Sequence, residues 1–190
     1  MKKYLLYSLV CVLAACKSGD EKAKEAELPQ GPLTKSANSE VFNRSFGLLL
    51  THYYDLKDNF ITEQDSAIAK AARGLVAAAD SLKIGELKGD TMIIATAKTY
   101  ALGISAEAKG LLGEKTLDGK RKSFQMISEQ LYDLVRTVRY DRAVIYHDYC
   151  PMAFNDQGAH WLSNTRDIRN PYIPKQMINC GEVKDSIDFK

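Results

Sequence analysis

The sequence predicts a mainly α fold: an antiparallel up-down four-helix bundle with an irregular, short-stranded C-terminal cap. Three observations predict it. Apolar residues recur at alternating spacings of three and four through the middle of the chain. Short polar connections separate four such stripes, which makes consecutive helices antiparallel neighbours. After the fourth stripe the periodicity stops, and a segment rich in Cys, Met, aromatic and Pro residues takes over.

The first stripe is Phe42, Phe46, Leu49, Tyr53, Leu56 and Phe60, and the second is Ile68, Ala71, Leu75, Ala78 and Leu82. Ile93, Ala97, Tyr100 and Ile104 begin the third, and Phe124, Ile127, Leu131, Leu134 and Val138 form the fourth. Helix starts carry capping residues: Thr62 with Asp65 at capping-box spacing, Asp90 before the third helix and Asp118 before the fourth. The connections fall near Asn59 to Thr62, Ile84 to Gly89 and Gly113 to Leu117. In this topology the tail leaves the fourth helix at the end of the bundle where the first begins. His52, about 13 residues into the first helix, is on the order of 20 Å from that end and reads as a structural histidine. Met92 and Met126, both on helices, read as core-filling residues.

Ahead of the bundle, Met1-Lys2-Lys3 is positive and Tyr4 to Ala15 is apolar but too short to span a bilayer as a helix, so residues 1–15 read as a removable signal. Leu13-Ala14-Ala15-Cys16 resembles the lipobox of bacterial lipoproteins, which implies acylation of Cys16 and anchorage in a membrane of the cell envelope. An ordinary secretory signal is the alternative. Residues 16–35, from Lys17-Ser18-Gly19-Asp20 through Gly31-Pro32, are charged, small and Pro/Gly-terminated, as in a solvated tether. Residues 36–190 then form one domain. Lys and Arg number 26 against 24 acidic residues. Removal of Lys2 and Lys3 leaves 24 against 24, so a neutral mature domain carries no general attraction for nucleic acid.

The chemistry is concentrated in the tail, about 143–190. Tyr146-His147-Asp148-Tyr149-Cys150-Pro151-Met152 and Met177-Ile178-Asn179-Cys180-Gly181 together hold two cysteines, two methionines and a histidine. Soft donors at that density point to a thiophilic metal, copper(I) or silver(I). Ala143 to Tyr149 reads as a strand, and continued extension through Pro151 would put Cys150 and Met152 on one side. His147 has the opposite parity and is a second-choice ligand unless a turn at Asp148 brings it back. Pro174 suits the first position of a helical turn and Gly181 the position just past its end, which would align Met177 with Cys180. The competing reading is a Cys150–Cys180 disulfide, which by closing a loop of about 31 residues would stabilise the domain by roughly 3–4 kcal/mol. His160 and Trp161 read as packing residues of the tail. Asp156, Asp167 and Arg169 read as solvated or turn-stabilising charges. No catalytic constellation is legible, and the chain is not expected to be an enzyme.

The pattern Cys-Pro-Met-Ala, Gly-Ala-x-Trp-Leu-Ser, Asn-Pro-Tyr and Met-x-x-Cys-Gly-Glu-Val resembles an uncharacterised domain family common in Bacteroidetes. So do Tyr53-x-x-Leu56-Lys57-Asp58, the helix from Asp65 to Leu75, and Arg121-x-x-Phe124-x-x-Ile127-Ser128. That family occurs alone in lipoproteins and appended to periplasmic adaptor subunits of copper/silver efflux systems. Tyr149-Cys150-Pro151-Met152 is also similar to a Tyr-x-Cys-Pro-Met signature of heavy-metal-binding modules. The resemblance implies metal handling beside an efflux partner. In one place the chain departs from the family: Ile173-Pro174 stands where an aromatic and a glycine are usual, so the turn presenting Met177 is expected to be built differently. Lys17 after the acylated cysteine, by resemblance to other lipoproteins, implies the outer membrane.

Overall fold

A computed structural model describes residues 38–190. The expected signal (1–15), Cys16 and the tether (16–35) lie outside the described residues. Among the described residues, no helix is long and apolar enough to cross a membrane.

Four long helices pack side by side: α1 (Glu40–Thr62), α2 (Asp65–Asp80), α3 (Thr91–Gly113) and α4 (Leu117–Val138). Every residue of the first, second and fourth stripes is buried in one apolar core. The third stripe is rotated from expectation. Ile93 and Tyr100 are only partly buried, and the face turned inward runs Ala97, Ala101, Ile104, Ala108 and Leu111. Alanine contributes little apolar contrast, so large residues at the edge of that face masked it in the sequence. Met92 and Met126 are exposed, at 73% and 45%, and do not fill the core as expected. His52 points at α2, where a side chain on Gly74 would strike its ring, and so is a packing residue.

Two of the three expected caps differ. Thr62 ends α1, its hydroxyl donating to the carbonyl of Asn59 at 3.1 Å, and α2 starts after Gln64 with no side-chain cap. The connection is only Glu63-Gln64, with Glu63 in the left-handed region (φ 54°). Thr116, not Asp118, caps α4 and accepts from the amide of Gly119 at 3.0 Å. Asp118 sits within the first turn, where a carboxylate favours the helix dipole. Asp90 caps α3 as expected, accepting from Ile93 at 2.8 Å.

The end of α4 does return to the start of α1. Asn38 Nδ2 donates to the carbonyl of Val138 at 3.0 Å, Phe46 stacks on Tyr140 and Arg142 pairs with Glu40. From there the tail runs back along the α1/α4 side. It forms an antiparallel sheet of order β2-β1-β3, made of β1 (Ile145–Cys150), β2 (Ala159–Ser163) and β3 (Glu182–Ile187). The backbone amide of Leu162 donates to Tyr53 Oη at 2.9 Å, and that hydroxyl also bonds Ser128 at 2.7 Å, which ties β2 to both helices. At the far end, Arg121 Nε donates to the carbonyl of Pro171 at 3.0 Å, and Glu63 pairs with both Arg121 and Lys175. The tail thus spans the bundle's length. Tethering at both ends defines its register.

Candidate functional site

Cys150 ends β1 and Cys180 precedes β3; the two form a disulfide with Cα atoms 5.7 Å apart, within the normal disulfide range. Cys150 is fully buried on the central strand, with Ala159 of β2 as its partner. Cys180 lies in the connector outside the strand ladder and is partly exposed. The sequence signatures around this bond are its scaffold. Asn170, itself buried, donates from Nδ2 to the carbonyl of Cys180 at 2.7 Å. Its Oδ1 accepts from the amides of Tyr172 (2.7 Å) and Ile173 (3.1 Å), so one carboxamide fixes both sides of the loop. Tyr172 donates to the carbonyl of His160 and sets its ring edge-on to Trp161 and against Phe124 of α4. That accounts physically for the Asn-Pro-Tyr motif. The two tail glycines are close-approach positions: at Gly181 (φ 143°) a side chain would meet Trp161 and the carbonyl of Tyr149, and at Gly158 (φ 81°) it would meet the Tyr149 hydroxyl.

The methionines are placed differently from the cysteines. Extension ends at Cys150; Met152 lies in a helical conformation, so strand parity does not align it with Cys150 as expected. It is 45% exposed and opens on a cleft of about 380 Å³ lined also by Arg121, Lys122, Asn155 and Tyr172. Phe154, Asn155 and Asp156 follow at φ 54°, 57° and 65°, a left-handed turn of three non-glycine residues closed by the amide of Gly158 donating to the carbonyl of Ala153 at 2.9 Å. Such conformations cost roughly 1 kcal/mol or more each and persist only where surroundings hold them, here through Phe154 packed edge-on to Tyr172. Pro174 takes the first helical turn as expected, in the one-turn helix Pro174–Met177. The amide of Cys180 bonds the carbonyl of Met177 at 3.0 Å, so the turn carries through to the cysteine, with Met177 44% exposed.

His147 stays on the face opposite Cys150, and no turn at Asp148 brings it round. The irregularity there is a register shift against β3 alone. Its ring is sandwiched between Tyr132 of α4 (4.0 Å) and His160 (4.6 Å), and Tyr149 continues the stack. Burial, helped by the neighbouring His160, lowers His147 to a pKa of about 4, and burial also lowers His160. Burial thus favours the neutral form of both rings. Among the described residues, no group of three or more His, Cys, Asp or Glu is arranged to hold a metal ion.

Asp148 is the residue that sequence reasoning passed over. It is fully buried, and neither carboxylate oxygen has a hydrogen-bond partner among the described residues. Burial pushes its pKa up to about 7, against an opposing pull from Lys57. The only signal in the sequence was an acidic residue inside a β-branched and aromatic strand.

A three-stranded flank, stapled within itself by one disulfide and packed on a four-helix bundle, defines a small helical domain. The model of the family described as "Protein of unknown function (DUF3347)" matches residues 49–142. That likeness runs from within α1 to just past α4 and ends before β1, so it covers the bundle and none of the tail signatures. No curated protein and no solved structure matches the chain.

Proposed function

We propose that this chain is a lipid-anchored protein of the cell envelope that binds a soft monovalent metal, Cu(I) or Ag(I), when its disulfide is open, for sequestration or delivery to efflux. One observation carries the reading. Two cysteines whose Cα atoms lie 5.7 Å apart each have a half-exposed methionine close in sequence, Met152 two residues after Cys150 and Met177 three before Cys180. Two thiolates with thioethers in reserve form a donor set that selects Cu(I) over Zn(II). His147, held in its aromatic stack on the other face, is left out of that set. The lipobox-like Leu13-Ala14-Ala15-Cys16 supports acylation and anchorage, with Lys17 favouring the outer membrane. The tail signatures support a metal-efflux adaptor as partner, and the protein acts by binding rather than catalysis.

A second reading has its own observation: the bond is closed and one of its sulfurs belongs to a fully buried residue. On that reading the disulfide is a permanent staple in a protein-interaction module of the envelope. Cu(I) competition titration and X-ray absorption, run on reduced and oxidised protein, separate the two. The metal reading expects about one Cu(I) or Ag(I) per chain with sulfur in the first shell, and loss of most affinity on oxidation, because thiolates are the competent ligands. Equal affinity in both states, or a shell of nitrogen and oxygen alone, rejects it in favour of the staple.

A further inference from the structure

The two sulfurs of the disulfide are not equivalent toward a nucleophile. Thiol–disulfide exchange proceeds by attack of a thiolate on one sulfur, and access decides which sulfur is attacked. Cys150 is sealed: it ends the central strand, paired with Ala159 of β2, with no exposed surface. Cys180 is partly exposed, sits outside the ladder, and is flanked by exposed Asn179 on one side and by edge strand β3 on the other. Next to it, Gly181 has no room for a side chain against Trp161 and the Tyr149 carbonyl, so the connector lies close against the sheet there. The connector is also held in place by Asn170, whose side chain donates to the carbonyl of Cys180 and whose backbone amide donates to the carbonyl of Ile178 at 2.7 Å.

We infer that Cys180 is the exchange site through which a dithiol reductant opens the tail, with Cys150 as the leaving sulfur. A thiolate of the dithiol attacks the Cys180 sulfur; the Cys150–Cys180 bond breaks, and its electron pair leaves on Cys150 as a thiolate. The second thiol of the reductant then displaces Cys180, giving the oxidised reductant and two cysteines that together take up the two electrons and the two protons of the dithiol. The first intermediate keeps Cys150 inside the fold and displays the mixed disulfide at the surface. This assignment holds whether or not the reduced pair takes a metal.

The test uses the full chain with Cys11→Ser and Cys16→Ser, so that only Cys150 and Cys180 report, and contains no metal. The oxidised protein is exposed to glutathione as a one-thiol probe, quenched with N-ethylmaleimide in acidified denaturant brought to neutral pH so that the buried thiol is reached, and mapped by peptide mass spectrometry. Glutathione is expected on Cys180 and the maleimide on Cys150, with at least a tenfold excess over the reverse pattern. Glutathione on Cys150, an even distribution, or no adduct under conditions that exchange an unstructured disulfide would each overturn the assignment.

Discussion

The bundle and the tail share one apolar core but treat the polar groups they bury differently. The bundle's core is mainly Leu, Ile, Phe and Ala on apolar helix faces, and polar side chains buried there are partnered: Ser128 with Tyr53, Ser105 with Asp80, Lys120 with Asp65 and Arg121 with Glu63. The tail encloses Asp148, Ser163 and Asn170 together with two partly buried histidines, and holds them with directional bonds and one covalent link. Apolar packing tolerates substitution of similar volume, whereas a half-satisfied polar network does not. The difference implies a division of labour in which the bundle supplies a platform and the tail supplies groups whose state can change. The seam between them is aromatic: Phe124 of α4 touches Tyr53, Phe60 and the tail's Tyr172.

The largest expected effect comes from breaking that seam. Phe124→Ala should cost about 3–5 kcal/mol, as for other fully buried aromatics. The chain's single tryptophan, Trp161, lies in the tail, while far-UV circular dichroism reports mainly the helices. Both signals should therefore fall together in the variant, at a lower temperature than in the parent. A tryptophan transition that precedes the helical one would show that the tail unfolds by itself and that the seam does not couple the two.

The second effect sharpens the contrast in polar burial. Asp148 ionises at 3.8 when solvated and near 7 in the fold, so the unfolded chain gains charge first as pH rises. Stability contributed by the protonated, buried form is complete below about pH 4 and is lost as pH climbs toward 7, by on the order of 2 kcal/mol after allowing for screening. His147 works in the opposite sense: its depressed pKa makes stability fall as pH drops from 6.5 toward 4. Comparing urea midpoints of the parent and Asp148→Asn between pH 4 and pH 8 isolates the carboxylate. The variant should gain on the parent across that range, and parallel curves would show that Asp148 carries no such penalty.

The same contrast explains what the sequence discloses. The α1, α2 and α4 stripes are legible because a helix places residues three and four apart on one face, which is a local rule. The α3 face is legible only in part, since alanines mark an interior without announcing it. In the tail, strand β1 and the Pro174 turn are readable from local chemistry, whereas the Cys150–Cys180 disulfide stands in the sequence only as the alternative to a metal site, argued from an oxidising compartment. The fold-back along α1 and α4, the His147 stack and the orphaned Asp148 are not readable, because each depends on residues far along the chain, such as Tyr53 against Leu162, 109 positions apart, or Tyr132 against His147. Caps misled for a related reason. Thr62 and Asp118 have the right chemistry, but a two-residue connection at Glu63 and a competing Thr116 decided the boundaries.

The smallest effect on stability is the most pointed for function. Met152 and Met177 are half exposed and neither belongs to the core, so Met152→Leu and Met177→Leu nearly conserve volume and should each cost less than about 1.5 kcal/mol. If they supply thioethers to a metal held by Cys150 and Cys180, each variant should bind Cu(I) more weakly in the reduced state while melting like the parent without metal. Their placements predict an order. Met177 is joined to Cys180 by a continuous helical turn, with the Cys180 amide on its carbonyl, whereas Met152 follows a break in strand β1 and opens on the cleft beside Arg121 and Lys122. Met177→Leu should therefore weaken binding more than Met152→Leu, the reverse of what Pro174 and strand parity alone imply. A metal-free melt must accompany each titration, since a loosened tail would imitate a lost ligand. Parent-like affinity in both variants would make the two methionines surface residues and reduce the donor set to the cysteines.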